Sequence, residues 1–271
     1  MVRGLYTAAS GLLTQEMRLE VTTNNLANVA TEGYRPDRAV VHDFNALLLH
    51  RLYDPIETPF RPNLRIDPMP TIGRLGTGSY VHEIHTDFDA QGPIEMTKRP
   101  LDLAIDGTGF FALNTPQGVR YTRAGRFVRD ANDFVVNEDG HQLMGQNGPI
   151  RLPPGANLDD LHIDGDGNVA IGQTPIDRLV LVNVLPGPVR EGYTLNGAQK
   201  VGYNLVDAVT GTAPVDPTQT RVQQGAIEHS PVNVVREMVG LIEVQRTYEA
   251  NQKVVLAEDE SLDRVLQRIS A

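Results

Sequence analysis

The clearest pattern in the chain is a seven-residue repeat of apolar residues at each end. The repeat reads Leu5, Leu12, Leu19 and Leu26 near the start, and Val234, Leu241, Tyr248, Val255, Leu262 and Ile269 near the end. All 18 prolines lie between Pro36 and Pro231, so both ends lack the residue that interrupts helices most strongly. The pattern predicts one helix at each end, each with an apolar row that packs against another helix.

Local signals set the bounds of these two helices. The first is predicted over about 3–30, because Gly33 suits the left-handed position that ends a helix and a proline follows it. The last runs to Ile269 and begins at one of two N-caps, Ser230 or Asn233. Four more apolar residues flank its heptad row and are expected to widen it into a stripe: Val235, Met238, Ile242 and Leu256.

Polar residues interrupt the second row of both heptads. They are Gln15 and Thr22 in the first helix and Asn251 and Glu258 in the last. Gly11 also weakens the first helix by roughly 1 kcal/mol relative to alanine, and either a close helix neighbour or simple tolerance explains it. We therefore expect both ends to be largely unfolded in an isolated monomer and to become helical on assembly.

The centre of the chain has the pattern of an all-β domain. Short alternating segments are separated by turn dipeptides that favour hairpins: Asp106-Gly107, Asp139-Gly140, Asn147-Gly148, Asp166-Gly167 and Asn196-Gly197. Many short strands with this punctuation indicate a barrel or sandwich. Before it, a short helical piece is predicted around Asp43 to Tyr53, followed by a proline-rich stretch that excludes a helix or a central strand.

Together these patterns predict an α+β fold, in which long N- and C-terminal helices pair as a coiled-coil-like core and carry a central all-β domain. The predicted divisions are residues 1–35 for the N-terminal helix, 36–78 for an extended arm or linker, 79–203 for the β domain, 204–229 for a return segment and 230–271 for the C-terminal helix.

Composition excludes several kinds of partner. A net charge of -10 and the lack of any basic run argue against nucleic acid, because phosphate binding needs clustered lysine and arginine. The longest apolar runs are far shorter than the roughly 20 residues that cross a bilayer, so no direct membrane span is expected. The chain has no cysteine, and its N-terminus lacks the features of a cleaved secretory signal.

No motif in the chain predicts catalysis or a cofactor. His82 and His85 are expected to point to opposite faces of a strand, which disfavours a metal site. The sequence from Asp164 to Asn168 lacks the glycine and glutamate positions of a calcium loop and favours a turn. We therefore expect no enzyme activity, no catalytic residue, no cofactor and no metal.

Three segments, in order, resemble the bacterial flagellar rod and hook proteins. The first is similar to the N-terminal signature of that family and includes Asn24, Asn25, Asn28, Thr31, Gly33 and Tyr34. The β-domain segments of the family resemble residues 102–111 and 121–125. The third segment, residues 244–251, contains Gln245 and Arg246 and resembles the C-terminal signature.

The resemblance implies a structural subunit of the flagellar basal-body rod, in which both chain ends form a helical tube and the β domain lies outside. The two heptad rows listed above would then be the assembly interface. Implied partners are other copies of the chain, other rod and hook proteins and the type III export apparatus, with a location in the basal body. Residues 245–249 and the insertion before Leu75 resemble the distal-rod type, whereas residues 148–155 resemble the proximal type.

One alternative of another class stays open at the level of the sequence. The β domain could be a β-barrel hydrolase or ligand-binding module, and the helices could then serve only for dimerisation. A pocket lined by convergent polar residues would favour this alternative.

Overall fold

The computed structural model describes residues 2–50, 56–58, 61–66, 71–184, 189–190, 193–194, 198–202, 204–208, 211–215 and 220–269. Within these residues the chain has a helix at each end and many short strands between them, which confirms the α+β class. The elements are α1 Val2–Ala27, β1 Asp37–Asp43, β2 Leu47–His50, β3 Ile56–Thr58, β4 Arg61–Ile66, β5 Thr71–Leu75, β6 Ser79–Thr86, β7 Ile94–Met96, β8 Leu103–Asp106, β9 Phe110–Thr115, β10 Gly118–Thr122, β11 Val128–Arg129, β12 Val135–Val136, β13 Gln142–Gly145, β14 Gly148–Pro149, a 3-10 helix Leu158–Asp160, β15 Leu161–Ile163, β16 Asn168–Ile171, β17 Thr174–Arg178, β18 Leu181–Val184, β19 Val189–Arg190, β20 Tyr193–Thr194, β21 Ala198–Lys200, β22 Leu205–Ala208, β23 Thr212–Pro214, β24 Arg221–Gln224, β25 Ala226–Glu228 and α2 Val234–Ile269.

The chain divides into two compact units. The first, here called the helical unit, comprises Met1–Thr23, Arg38–Ile84 and Met238–Ala271. It holds most of both helices and most of three two-stranded ribbons, in which β6 pairs with β1, β5 with β2 and β4 with β3. The last two ribbons are antiparallel. The second, here called the β unit, comprises Asn24–Asp37 and His85–Glu237.

One prediction for the helical unit is wrong. The segment expected to be a short helix around Asp43 to Tyr53 contains the end of β1 and the whole of β2, and its last three residues lie outside the described residues. The sequence of β2 has consecutive leucines and therefore lacks the alternation of apolar and polar residues that marks a strand. All of its residues are exposed. Antiparallel pairing with β5 therefore determines the conformation, and only the folded chain reveals that partner.

The β unit is organised around a ten-stranded sheet. Its main order is β11-β12-β13-β9-β10-β22-β21, with β14 beside β13 and with β18 and β23 continuing from β9. A three-stranded sheet β15-β16-β17 and the pairs β24-β8 and β25-β7 complete the unit. Fully buried Phe111 and Phe127 meet edge to face at 5.6 Å in the centre of its apolar core.

The structure confirms three of the hairpins that the turn signals predict. Four of the predicted turn glycines have a positive φ: Gly107, Gly140, Gly148 and Gly167. The pairs at Gly140, Gly148 and Gly167 lie at hairpins, as predicted, since the strands around them pair with each other. The hairpin predicted at Asp106-Gly107 is wrong, because β8 pairs with β24 and not with β9. The fifth pair, Asn196-Gly197, lies outside the described residues.

Side-chain hydrogen bonds mark the C-terminal end of α1 and the N-terminal end of α2. α1 stops at Ala27, three residues before the predicted end, because the chain turns at Asn28, whose Nδ2 donates to the Asn24 carbonyl at 2.9 Å. At the start of α2, Asn233 Oδ1 accepts a hydrogen bond of 3.1 Å from the Arg236 amide. Of the two N-caps that the sequence allows, the structure therefore uses Asn233.

Candidate assembly site

The two terminal helices contact each other through glycines on α1. A Cβ atom at Gly4 would lie 2.3 Å from Glu258 Oε1, and one at Gly11 would lie 2.9 Å from Asn251 Nδ2. As the residue number rises on α1 it falls on α2, so the two helices run antiparallel where they touch. Both polar residues that interrupt the heptad of α2 thus occupy the space above a glycine, and Gly11 is explained by a close helix neighbour.

Apart from Ser261, the side chains of α2 that are buried or half-buried follow a spacing of three and four residues. They are Glu237, Leu241, Val244, Tyr248, Asn251, Val255, Glu258 and Leu262. Val244 is the most buried of them, at 3% exposure, although the sequence analysis did not select it. A spacing of this kind places all eight on one side of the helix.

The residues predicted as the assembly interface do not all have the same surroundings. Eight of the nine predicted residues with described side chains are half-buried in the single chain, and these are Leu5, Leu12, Leu19, Leu26, Leu241, Tyr248, Val255 and Leu262. The ninth, Val234, is 40% exposed. Ile269 is the last residue of α2.

α1 is also held by hydroxyl groups that the sequence analysis missed. Thr14, 2% exposed, donates through Oγ1 to the carbonyl of Ser79 at 3.1 Å or to that of Ser10 at 2.9 Å. A Cβ at Gly78 would lie 2.3 Å from Ser10 Oγ, so only glycine allows α1 to approach the start of β6 this closely. The signal for these contacts was weak, because serine and threonine within a helix have no distinctive pattern.

Both helices carry a second apolar face that the single chain leaves exposed. On α1 the exposed residues are Tyr6 at 69%, Leu13 at 63% and Met17 at 40%. On α2 they are Val235 at 71%, Met238 at 52%, Val239 at 60% and Ile242 at 48%. Val235, Met238, Ile242 and Leu256, which are expected to widen the apolar stripe of α2, are all exposed in the single chain. Gln245 and Arg246 are exposed as well.

In the β unit, the N-terminal signature residues form a hydrogen-bonded cluster. Tyr34, 4% exposed, has its hydroxyl 2.9 Å from Asn24 Oδ1 and 3.1 Å from Asn25 Oδ1. Asn25 exchanges two hydrogen bonds with the backbone of Asp37, at 2.8 and 2.9 Å. Asn28 Oδ1 accepts from Thr31 Oγ1 at 3.1 Å. These side chains fix the turn that follows α1.

Gly33 brings this turn against the end of β25. Its φ is +64°, and its amide donates to the carbonyl of Glu228 at 2.9 Å. A Cβ there would lie 2.4 Å from backbone atoms of Arg123 and Ala124. Both the backbone conformation and the lack of space therefore require glycine at this position.

A buried carboxylate joins the two ends of the β unit. Glu228, with no exposed surface, accepts from Arg35 Nη1 at 2.7 Å and from Arg123 Nη1 at 2.8 Å, and its Oε1 also accepts from the Gly92 amide at 3.1 Å. Arg123 further donates to the Ile105 carbonyl at 2.8 Å. We call Arg35, Arg123 and Glu228 the buried clasp.

Electrostatics of the clasp follow from its burial. Removal from water lowers the pKa of Arg123 to about 10, against the opposing effect of Glu228, so that Arg123 stays charged at neutral pH. Two cations thus share one anion inside the protein. Nothing in the sequence singled out Glu228, because an isolated glutamate in a short strand resembles a surface residue.

A polar cleft of about 610 Å³ lies beside the clasp, within the β unit. Several of its polar lining residues bond to one another. Lys200 Nζ contacts Asp37 at 2.9 Å and lies 4.2 Å from the centre of the Tyr34 ring, and Arg126 pairs with Glu32. Burial raises the pKa of Glu32 and, with Asp37 and Glu237 nearby, that of Tyr34, whereas it lowers the pKa of Lys200. This internal pairing distinguishes the cleft from a site that presents free groups to a ligand.

The motifs weighed for metal binding take the predicted forms. His82 is exposed and His85 half-buried in β6, three positions apart on a strand. Asp164 Oδ1 accepts from the amides of Asp166 and Asn168, which makes this segment a turn. Within the described residues there is no group of three or more acidic, histidine or cysteine side chains placed to hold a metal ion. None of the described helices has the length and apolar character needed to cross a membrane.

Comparison with known proteins gives matches over nearly the whole chain. Residues 5–35 match the family described as flagella basal body rod protein. Residues 104–171 match the flagellar hook protein FlgE/F/G D1 domain, and residues 223–268 match the flagellar basal body rod FlgEFG protein C-terminal family.

Individual relatives are similar along their full length. The flagellar basal-body rod protein FlgG of Buchnera aphidicola subsp. Schizaphis graminum is 33% identical, over 98% of this chain and 100% of its own. FlgG of Caulobacter vibrioides is also 33% identical, over 98% and 99%. The rod protein FlgF of Caulobacter vibrioides is 31% identical, over 94% of this chain and 93% of its own.

Proposed function

This chain belongs to the bacterial flagellar basal-body rod protein family, and we propose that its copies assemble helically into the rod through α1 and α2. The chain is a structural subunit of the flagellar basal body. The comparisons support this class of function and give no support to a hydrolase or ligand-binding module. The rod would serve as the drive shaft for motility.

The contact of the two α1 glycines with α2 is the observation that carries the mode of assembly. Gly4 and Gly11 lie seven residues apart, as do Asn251 and Glu258 on α2. This matched spacing supports a coiled-coil-like pair, in which the heptad rows of both helices border one seam. The half-buried residues of those rows, from Leu5 to Leu262, would be covered completely when neighbouring subunits pack around the pair.

The β unit is proposed as a sandwich-like body. Its apolar cluster combines Phe111 and Leu113 of the large sheet with Ile163 and Val169 of the three-stranded sheet. Side chains of two sheets that meet in one core favour a sandwich. Residues 1–35 and 230–271 would then form the assembly core, 36–78 an arm and 79–203 the body, joined to α2 by 204–229.

Assembly also requires partners other than the chain itself. We propose that the subunit contacts other rod and hook proteins at the two ends of its own segment. We further propose that it reaches the basal body through the type III export apparatus.

The substitution Leu241→Asp tests assembly through the helices. A carboxylate at a central seam position would be buried without a partner, so the variant should fail to assemble and cells that carry only this variant should not swim. The readouts are motility and the amount of the protein in purified basal bodies. Gln252→Asp, at an exposed position of α2, is the matched control and should assemble. A motile cell with only Leu241→Asp would refute the proposal.

A further inference from the structure

The apolar rows of α1 and α2 do not by themselves fix how the two helices are aligned within the chain. Both rows repeat every seven residues. If one helix slides along the other by seven residues, row therefore faces row again, about 10 Å from the first position. Apolar contact alone does not select one alignment, whereas subunits that pack into a regular rod must all have the same one.

The two glycine contacts define a single alignment. Gly4 lies against Glu258, and Gly11 lies against Asn251. The two contacts are seven residues apart on each helix and follow each other in opposite chain directions, so both indicate the same antiparallel register. A side chain at either glycine would have to displace the polar group opposite it.

A slide of α2 in one direction removes both of these contacts. If Glu258 moved to Gly11, Asn251 would meet Arg18, which lies seven residues further along α1. Arg18 has a long, half-buried side chain and does not offer the space that a glycine leaves. Glu258 would also leave the first turn of α1, which begins at Val2 and whose free backbone amides favour a carboxylate.

A slide in the other direction removes one contact. Asn251 would then lie against Gly4, but Glu258 would lie beyond the start of α1. Val244, which is 3% exposed in the observed alignment, would move to Gly11. In the observed alignment alone, each of the two polar residues of the α2 row lies against a glycine.

We propose that Asn251 and Glu258 set the register of α2 against α1, with Gly11 and Gly4 as the positions that receive them. The inference rests on the proposed function and names the residues that determine the alignment within each subunit. A polar residue in the apolar seam of a coiled coil lowers stability and selects one register. The polar interruptions of the heptad therefore have a role besides weakening the separate helix.

Exchange of side chains between the helices tests the register in cells whose only copy is the variant. Gly11→Asn should reduce the swarm diameter by at least half, because two asparagines then compete for one space. Gly11→Asn/Asn251→Gly moves the amide from α2 to α1 and should restore most of the swarm diameter. Gly11→Asn/Glu258→Gly is the matched control: it adds the same asparagine and one glycine to α2, but the glycine lies one heptad away, so swarming should stay reduced.

The pattern of recovery identifies the register. Recovery by Glu258→Gly and not by Asn251→Gly would place the helices one heptad away from the proposed alignment. Normal swarming of Gly11→Asn would show that another feature of the chain sets the register. Equal swarming of the two double variants would overturn the proposal as well.

Cysteine pairs measure the same register without relying on swarming. The chain has no cysteine. Ala8, 5% exposed, lies between the two glycines of α1, and half-buried Val255 lies between their partners on α2. Mild oxidation of purified basal bodies should link Ala8→Cys/Val255→Cys within one chain. Ala8→Cys/Tyr248→Cys and Ala8→Cys/Leu262→Cys are displaced by one heptad, about 10 Å, which exceeds the reach of a disulfide, so they should stay reduced. A link in a displaced pair, or none in the first pair, overturns the proposal.

The outcomes separate the register from the proposed function. If Leu241→Asp fails to assemble while Gly11→Asn swarms normally, the helices build the rod but Asn251 does not align them. If Leu241→Asp assembles, the proposed function itself fails. Urea denaturation of purified Gly11→Asn should give the midpoint of the unmodified β unit, which assigns a lost phenotype to the helices.

Discussion

At the scale of single residues, the buried clasp places three charged side chains inside the β unit. Glu228 is the anion between Arg35 and Arg123, and Arg35 has two further buried nitrogen atoms with no partner among the described residues. Charges taken out of water are tolerated only when they are paired and hydrogen-bonded. The carboxylate therefore compensates for both guanidinium groups at once.

The substitution Glu228→Gln should destabilise the β unit by about 3–5 kcal/mol, because it leaves two buried cations without their anion. Urea denaturation of the purified chain, followed by circular dichroism in the strand region, measures the change. The control is Glu138→Gln, at a carboxylate that is 68% exposed and 3.6 Å from Arg126, where a change of at most about 1 kcal/mol is expected. Equal effects of the two substitutions would contradict the role of the clasp.

Gly33 is the second residue whose replacement should be costly. Gly33→Ala places a Cβ against the backbone of Arg123 at a φ of +64°. The left-handed conformation alone costs about 1–3 kcal/mol for other residues, and the clash adds to it. Gly140→Ala, at a φ of +83° with open space around it, isolates the conformational cost. The same denaturation experiment should show a larger loss for Gly33→Ala, and a smaller one would argue against the close contact.

The raised pKa of Tyr34 predicts how the free energy of unfolding changes with pH. Burial raises the pKa of its hydroxyl above the ordinary value of 10 in the folded state, so the folded state keeps a proton that the unfolded state loses. The stability from Tyr34 is then complete below pH 10 and falls as pH rises above 10. Tyr34→Phe lacks this titration. The difference in unfolding free energy between the two proteins should therefore be constant from pH 7 to 9 and shrink at pH 10.5 to 11; a constant difference throughout would contradict it.

At the scale of secondary structure, the sequence predicted the elements that carry their own signals. Proline-free heptads predicted α1 and α2, and Asp-Gly and Asn-Gly pairs predicted the turns. The short helix at residues 43–53 was wrong because the conformation of β2 is set by a partner strand far along the chain. The same limit applies to the site. The sequence identified the glycine and the polar residues of the helices, but it did not predict that they lie against each other.

Hydrogen exchange on dilute monomer tests whether the helices need neighbours. Amides from Leu5 to Val21 should exchange fast, because much of the surface of α1 is expected to be covered only when other subunits pack against it. The amides of Gly33 and Asp37 should exchange slowly, since they donate to Glu228 and Asn25 inside the β unit. Strong protection throughout Leu5 to Leu26 in the monomer would contradict this expectation.

At the scale of the whole molecule, each unit holds its own stabilising contacts. Within the described residues, all 16 buried members of the main apolar cluster lie between Leu101 and Val222, inside the β unit. Order of the motifs along the chain was enough to predict the family. The clasp was not predictable, because its three charged residues are separated by 88 and 105 positions and become partners only through the fold.

The separation into units predicts independent effects on stability. Leu241→Asp lies in the helical unit and should leave the denaturation midpoint of the β unit unchanged, whereas Glu228→Gln should lower it. Both variants are compared by urea titration of purified monomer. A fall of the midpoint in Leu241→Asp would show that the β unit draws stability from the helices.

The clasp also determines the path of mechanical load. The chain leaves α1 and reaches Gly33 and Arg35, both bonded to Glu228, and six residues after Glu228 it enters α2. A pull from α1 therefore reaches the last residue of β25 through Gly33 and Arg35, and a pull from α2 reaches the same residue through the backbone. The bonds of Gly33 and Arg35 to Glu228 would have to break before the segment after α1 could be drawn away from β25.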